Sequence, residues 1–433
     1  MLSPDEDRKL RSAFGRFAMS ECRQAGIDVV SRHYERQHWF HCDCRPGLSR
    51  PPTLFLVSGE HIQREARDDP NATPHADACV FARDPAEQHD LVRSYRRPTN
   101  ETRLCLVRKF TDVSAQPEHH PRTQLVSTRV PQPALATVLR SLLARSGLNK
   151  LYASEPLHGE KERQIGFLRG AAAEFTLAPG RSLEPWLATS LGEYYHLLER
   201  LNKIIGSWER PHGLFLETFD RIEDNTLYPK RTDLKPIRIE GKLQVFGEGE
   251  ELHRPPYLVL GLLSQPHRHA RTVELIKAYS HPCVAWDRLM LVDSRLERET
   301  LALLIACRER LAPRGITFTI EKPLFDKGPA EAEDPREVCI PDFLLRARGP
   351  EFDNRVVVVE TMGYDDAPYR ERKRRMRSLF ERLGADSHPV PVIEHDRFAP
   401  DRTQGAIDAA FCERVCAALT ADGQRGVAQS LHG

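Results

Sequence analysis

The stretch CIPDFLLRARGPEFDNRVVVVETMGYDDAPYRERKRRM, Cys339 to Met376, sets two apolar runs side by side and puts a carboxylate in each. Asp342 stands at the head of IPDFLL, and Glu360 closes the run Val356 to Val359. An ionised carboxylate is expensive to bury unless a cation or a full set of donors meets it. Acids at the ends of buried strands therefore point to a use for them. Short runs of apolar, largely β-branched residues bounded by Gly, Pro and Asp read as strands. The segment that follows, APYRERKRRMRSLFERLG, reads as a helix closed by Gly384.

Working outward, SRLERETLALLIACRERLAPRG is a helix stopped by Pro313 and Gly315, and ITFTIEKPL is a strand. Downstream, VPVIEHD is a strand and a last helix runs around 405–420. Helix, three strands, helix and strand in that order predict a compact α/β domain over 285–433.

This order, with IPDFLL, a loop and VVVVETMG, resembles the PD-(D/E)XK nuclease superfamily, the restriction-endonuclease-like fold. The resemblance implies a Mg²⁺- or Mn²⁺-dependent phosphodiesterase that cuts DNA, with Asp342 and Glu360 holding the ion. The physics agrees: two nearby carboxylates repel, and a dication turns that repulsion into binding energy. The family's lysine usually stands two residues after the glutamate, where this chain has Met362. Helix spacing offers a substitute. Tyr369, Met376, Phe380 and Leu383 form an apolar stripe, and Lys373 lies on it, four residues after Tyr369. Arg370, Arg374 and Arg377 fall on other faces and make a candidate phosphate-tracking surface. Lys322, at the end of the preceding strand, competes with Lys373 as the amine. Many superfamily members also place a glutamate on the first helix. The stripe Leu296, Thr300, Leu303 and Cys307 assigns that part to Glu299 and turns Glu297 away.

The whole chain also resembles an uncharacterised family of bacterial conjugative plasmids and genomic islands, through HWFHCDCRP, HADACVFARD, CIPDFLL and VVVVETMGYDDAPYRERK. That likeness implies a mobile-element setting and conjugation or mobile-element proteins as partners. It supplies no activity. The alternative to a nuclease is thus a catalytically inactive nucleic-acid-binding or conjugation accessory protein on the same fold, for which Met362 argues. A zinc-stabilised protein adaptor is a third reading.

A chain of 433 residues exceeds what one core usually organises. The division expected is 1–125, a module with a structural zinc site; 126–284, a helical segment followed by a β-hairpin; and 285–433, the nuclease-like domain. The fold class is α/β in the broad sense, a multidomain α+β chain. In the first module, residues 1–35 read as helix, with Leu10, Phe14, Phe17 and Ala18 at helical spacing, and PTLFLVS reads as a strand. Pro- and His-rich sequence over 115–128, with His119 and His120, reads as a linker. In the middle, PALATVLRSLLARSGLNKL and GEYYHLLERLNKIIGSW are helices, PIRIEGKLQVFGEGE and PPYLVLGLLSQ are strands joined by a turn, and ARTVELIKAYS is a helix.

A net charge of +1 excludes a globally basic nucleic-acid binder, so any such surface is a local patch. No apolar run approaches the length that spans a bilayer, and the N-terminus MLSPDEDRKLRSAF is charged, which predicts a cytoplasmic protein without a membrane partner. Ten cysteines in so long a chain do not make a disulfide scaffold. Cys105, Cys283, Cys307 and Cys339 sit in apolar contexts, and Cys412 and Cys416 share one helix face. HCDC and HADAC differ. Cys42, Cys44, His75 and Cys79 form two close pairs of soft ligands that suit tetrahedral Zn²⁺ in a structural site, with His41 as the alternative to His75. The first pair resembles the C-x-C of a SWIM-type zinc finger, although the second, H-x-x-x-C, departs from that pattern. Trp39 and Phe40 beside it are placed to stack on bases or, the reading preferred, to pack under the knuckle.

Overall fold

The structure, a computed structural model, describes residues 2–14, 22–36, 38, 40–58, 61–63, 73, 75–76, 79–81, 97–98, 100–104, 106–107, 133–246, 255–327, 339–350, 352–363, 365, 367–383, 389–398 and 403–420. Phe17, Ala18, Trp39, Cys105, His119, His120, Gly384 and the linker expected over 115–128 lie outside the described residues. The chain divides into two units, Met1–Val92 and Arg93–Gly433. No helix among the described residues is long and apolar enough to cross a membrane.

In the first unit the expected single helix is two, α1 (Pro4–Phe14) and α2 (Arg23–Glu35). Ser3 and Glu6 make a reciprocal cap at the head of α1: Ser3 Oγ accepts from the Glu6 N–H at 3.3 Å and Glu6 Oε2 from the Ser3 N–H at 3.0 Å. Gly26 lets α2 come down onto α1, because a β-carbon there would stand 2.2 Å from the Ala13 Cβ. Strands β1 (Phe40–His41), β2 (Thr53–Ser58) and β3 (His61–Gln63) form an antiparallel sheet. Leu10, Phe14, Val29, Val30, Phe40, Leu54 and Phe81 close a small core, which also takes in Cys42 and Cys79.

The second unit opens with α3 (Ala134–Arg145), β4 (Lys150–Leu151), α4 (Lys161–Ala173), the small ribbon β5 (Thr176–Ala178) and β6 (Arg181–Ser182), β7 (Leu187–Ala188) and α5 (Leu191–Lys203). Then come β8 (His212–Phe219), β9 (Arg221–Glu223), β10 (Thr226–Tyr228), β11 (Ile237–Arg238), β12 (Lys242–Val245), β13 (Tyr257–Ser264), β14 (Glu274–Ala285) and β15 (Arg288–Leu291). A mixed sheet runs β12–β14–β13–β8–β7, with β15 against β14. Alternation along its central strands fills two cores. Leu214, Leu216, Leu258, Leu260 and Leu262 face one side, and Phe215, Phe219, Tyr257, Val259 and Leu263 the other.

Two expectations change here. The segment read as a helix, ARTVELIKAYS, falls mostly in β14, which is nearly continuously buried. A strand covered on both faces has no two-residue polar alternation to distinguish it from a buried helix. And β13 pairs antiparallel with β8 and β14, not with the stretch before it: β12 lies across β14 in parallel register.

The remaining elements are α6 (Arg295–Leu311), β16 (Thr317–Glu321), β17 (Phe343–Gly349), β18 (Phe352–Met362), α7 (Ala367–Glu381), β19 (Val392–Asp396) and α8 (Gln404–Leu419). This is the helix–three strands–helix–strand order expected from the sequence. The sheet is ordered β19–β18–β17–β16–β4, with β18 and β19 parallel and the other pairs antiparallel. Its outermost strand, β4, comes from far upstream. Phe343, Leu345, Val357 and Val359 face α6 and α8, while Leu344 and Val358 face Phe380 of α7. The period of two then fixes the site. Asp342 shares the α7 face with Leu344, and Glu360 shares it with Val358.

Candidate functional site

Asp342 precedes β17 and Glu360 lies near the end of β18, and because the strands are antiparallel both carboxylates reach the same end of the sheet. Each acid clamps the other's strand. The Asp342 N–H donates to Glu360 Oε1 at 2.9 Å, and the N–H and Oγ1 of Thr361 both donate to Asp342 Oδ2 at 2.7 Å. The phenol of Tyr369 donates to the Thr361 carbonyl at 2.9 Å, which pins the first turn of α7 to the end of β18. One turn later Lys373 overlies the acids. Its Nζ donates to Asp342 Oδ2 at 3.2 Å and to Glu360 Oε2. The structure thus brings Asp342, Glu360 and Lys373 together, with Met362 buried alongside.

Electrostatics separates the two acids. Burial and the neighbouring Asp342 charge push Glu360 up to about 7, against the pull of Lys373. Burial also raises Asp342, but Lys373, Lys322 and the Thr361 donors overcome it and hold its carboxyl below the usual range. Burial works against the charged amine of Lys373, and the two carboxylates outweigh it, leaving the group well above the ordinary lysine range. This is a donor set for a hard cation: two carboxylates, one frustrated by the other, turned on a single ammonium. The residues present fit a hard divalent cation by their chemistry.

Helix α6 turns Glu297 and Glu299 the other way from the expectation. Glu299 pairs with Arg295 at 2.5 Å and with Arg397, on a partly exposed face. Glu297, expected to point away, is buried at 3 % exposure. Its Oε2 accepts from the Asp293 N–H at 2.9 Å and from Lys322 Nζ at 2.7 Å, while its own N–H donates to the N-cap Ser294 Oγ at 3.1 Å. Lys322 also reaches Asp293 at 3.3 Å, and Asp293 faces His281 Nε2 at 3.3 Å. Burial, together with the charges of Asp293 and Asp342, pushes Glu297 up to about 8 against the pull of Lys322. Burial disfavours the charged Lys322 amine, but Asp293, Glu297 and Asp342 raise it well above the ordinary lysine range. Lys322 is therefore committed to α6, and Lys373 is the amine at the acid pair. The S-x-x-E of Ser294 to Glu297 was the available signal for the first turn of α6.

The three arginines of α7 expected to track phosphates, Arg370, Arg374 and Arg377, each meet acids. Arg370 bonds Asp396 at 2.9 and 3.3 Å and Asp365 at 2.8 Å. Arg374 pairs with Glu371, and Arg377 with Glu381 at 3.1 Å and Glu394 at 3.3 Å. The face carries matched charges, with Arg374 the most open of the three.

In the first unit Cys42, Cys44, His75 and Cys79 present their ligand atoms within 4.8 Å of one another, a cluster that could hold a metal ion. Cys42 Sγ lies 3.6 Å from Cys79 Sγ, and His75 Nδ1 lies 3.5 Å from both Cys44 Sγ and Cys79 Sγ. Tetrahedral coordination with Zn–S of about 2.3 Å and Zn–N of about 2.0–2.1 Å puts neighbouring ligands roughly 3.4–3.8 Å apart, and these three separations match that spacing. Burial, with Cys79 and Cys44 adding to it, pushes the metal-free Cys42 thiol up to about 12. His41 stays out of the cluster, with its Nδ1 3.1 Å from Thr53 Oγ1.

Comparison with known proteins bears on both units. Residues 293–417 match the model of the restriction endonuclease-like C-terminal domain. Residues 96–283 and 1–85 match two domains of unknown function, DUF8535 and DUF8534. An uncharacterized protein in the cib 5′ region of Escherichia coli is 31% identical over 166 residues, which cover 38% of this chain and 74% of that protein. No solved structure matches the chain.

Proposed function

We propose, from the premise that this chain belongs to the same family as the Escherichia coli protein and carries a restriction endonuclease-like domain near its C-terminus, that it is a metal-dependent nuclease acting on DNA. The observation that carries this is the meeting of Asp342, Glu360 and Lys373 at one sheet end. Asp342 and Glu360 would hold Mg²⁺ or Mn²⁺, which when bound activates water and offsets charge on the phosphate. Lys373, strongly held in its protonated form, acts as a hydrogen-bond donor that orients water or a phosphate oxygen, rather than as the base. Thr361 and Tyr369 hold Asp342 and α7 in place. In this proposal the carboxylate contributed by α6 is Glu297, and Glu299 is a surface residue.

DNA would run past α7, with Arg370, Arg374 and Arg377 exchanging their carboxylate partners for phosphates, Arg374 most readily. A mobile genetic element is the setting the sequence likeness suggests. The test is direct. Supercoiled, linear and single-stranded DNA are incubated with the full chain and Mg²⁺ or Mn²⁺, beside Asp342→Ala and Glu360→Ala. Metal-dependent cleavage lost in both variants is expected; cleavage that survives both substitutions refutes the assignment.

One observation favours a second reading. Met362 occupies the usual lysine position, and Lys373 already neutralises the acid pair, as it would in a purely structural ion pair. The protein would then be a nucleic-acid-binding or conjugation accessory protein. It would bind DNA without metal, weaken with salt and tolerate Asp342→Ala.

In the first unit we assign Cys42, Cys44, His75 and Cys79 to a structural Zn²⁺, supported by the soft donor set and its spacing. Four protein ligands leave no place for a catalytic water, so the ion would act by cross-linking a small core.

A further inference from the structure

A cavity of about 430 Å³ opens in the second unit beside β4, the outermost strand of the acidic sheet. That size suits a small-molecule or single-residue ligand. Tyr152 and Phe167, both lining it, are 49% and 47% exposed, two of the few large apolar side chains left open to solvent among the described residues. Arg163 lies over the Phe167 ring at 5.6 Å and makes no ion pair among the described residues. Lys150, at the rim, has only a 4.0 Å approach to Glu321. Arg288 is buried in the wall. Its guanidinium donates to the carbonyls of Leu157 at 3.3 Å and Pro156 at 3.0 Å, and its carboxylate partner Glu155 stands off at 3.8 Å. Gly159 keeps the wall open: a β-carbon there would come within 2.7 Å of that guanidinium.

The lining sets Lys150, Arg163 and Arg288 against Glu155, Glu160 and Asp287, so its charges balance, and Arg163, over the Phe167 ring, is the cation left without a carboxylate among the described residues. Open aromatic faces beside such a cation are the chemistry that holds an unpaired nucleotide: a base stacks on a ring, and Arg163 meets the phosphate. Asp287, also in the lining, offers acceptors to a base edge. The register points to a nucleotide within a strand. Lys150 pairs opposite Glu321, Glu321 opposite Leu344 and Leu344 opposite Val358, one row across the sheet. Asp342 and Glu360 lie two residues to one side of that row and Tyr152 two residues to the other, roughly 13 Å along the strands, and β4 is three strand spacings from β18, roughly 14 Å across them, a distance of a few nucleotides. We propose that this cleft receives an unpaired nucleotide of a DNA strand whose phosphodiester lies at the acid pair, so that single-stranded DNA is gripped beside the cutting point. This rests on the nuclease reading for its second half only.

Binding can be measured without cleavage. The full chain in EDTA is titrated with single-stranded oligonucleotides carrying 2-aminopurine at successive positions. One position is expected to be quenched on binding. Phe167→Ala and Tyr152→Ala should each weaken binding about ten-fold and remove that quench, while Phe167→Tyr restores it. Both rings are half exposed, so these variants are expected to fold, as circular dichroism will verify. Asp342→Ala should retain the quench even where cleavage is lost, which separates this site from the catalytic assignment. The inference fails if both alanine variants bind and quench as the parent does, or if a duplex of equal length binds as tightly. It also fails if dAMP displaces the oligonucleotide at equal concentration, which would make the cleft a free-nucleotide site.

Discussion

Replacing Lys373 by alanine removes the one cation that, among the described residues, contacts both Asp342 and Glu360. Breaking a buried ion pair from one side typically destabilises by about 3–5 kcal/mol. Proton uptake limits that loss. With Lys373 in place Glu360 already titrates near 7, against an ordinary value of 4.5, so its ionisation opposes folding by up to about 3 kcal/mol above pH 7. The sign follows from linkage: a carboxyl whose folded pKa is raised destabilises progressively as pH rises from its unfolded value to its folded one. Lys373, raised instead, contributes stability that is fully present below pH 10.5 and lost above its folded value. Without the amine, Glu360 moves higher still. Below pH 7 Glu360 takes up its proton on folding in parent and variant alike, so the deficit of Lys373→Ala should be level there and grow by about 1.4 kcal/mol per pH unit above pH 7, up to the variant's own higher Glu360 value.

The assay is urea denaturation of the full chain from pH 5 to pH 8, with EDTA or with Mn²⁺. A dication substitutes for the lost ammonium, so Mn²⁺ should stabilise Lys373→Ala more than the parent, by about 2.7 kcal/mol at a concentration one hundred times its dissociation constant. Equal stability of variant and parent at pH 8 would refute the reasoning. So would a larger Mn²⁺ effect on the parent, because then the ion does not offset the carboxylate charge that the lost ammonium leaves.

Lys322→Met should destabilise by about 3–5 kcal/mol in the same denaturation assay, since it strands Asp293 and Glu297; Glu299→Gln, at a surface pair, should cost under about 1 kcal/mol and leave cleavage unchanged. Elemental analysis by mass spectrometry should find about one zinc per chain, lost in Cys42→Ser and Cys79→Ser, with proteolysis of residues 1–92 accelerating as the metal leaves. Gly26→Ala should destabilise the first unit by about 1–3 kcal/mol in thermal unfolding, because the new methyl would meet Ala13.

Much of the acidic site was legible in the chain because it rests on short-range periodicity. Two-residue alternation places Asp342 with Leu344 and Glu360 with Val358, and helical spacing puts Lys373 on the same stripe as Phe380. The close Cys and His pairs were equally local, and Cys42, Cys44, His75 and Cys79 do meet. What only the tertiary structure decided depends on partners distant in sequence. Glu297 and Glu299 are two residues apart on α6, and the helix stripe alone favoured Glu299. Glu297 is the buried one because Lys322, just past β16, gives its carboxylate a cation, while Arg397 pairs with Glu299 on a partly exposed face. The strand nature of Glu274–Ala285 was hidden for a related reason, since burial on both faces erases the polar alternation that marks a strand. The outermost strand of the acidic sheet, Lys150–Leu151, is two residues long and pairs with Ile320 and Glu321. Nothing in so short a segment announces that pairing, because its stability comes from the sheet it joins.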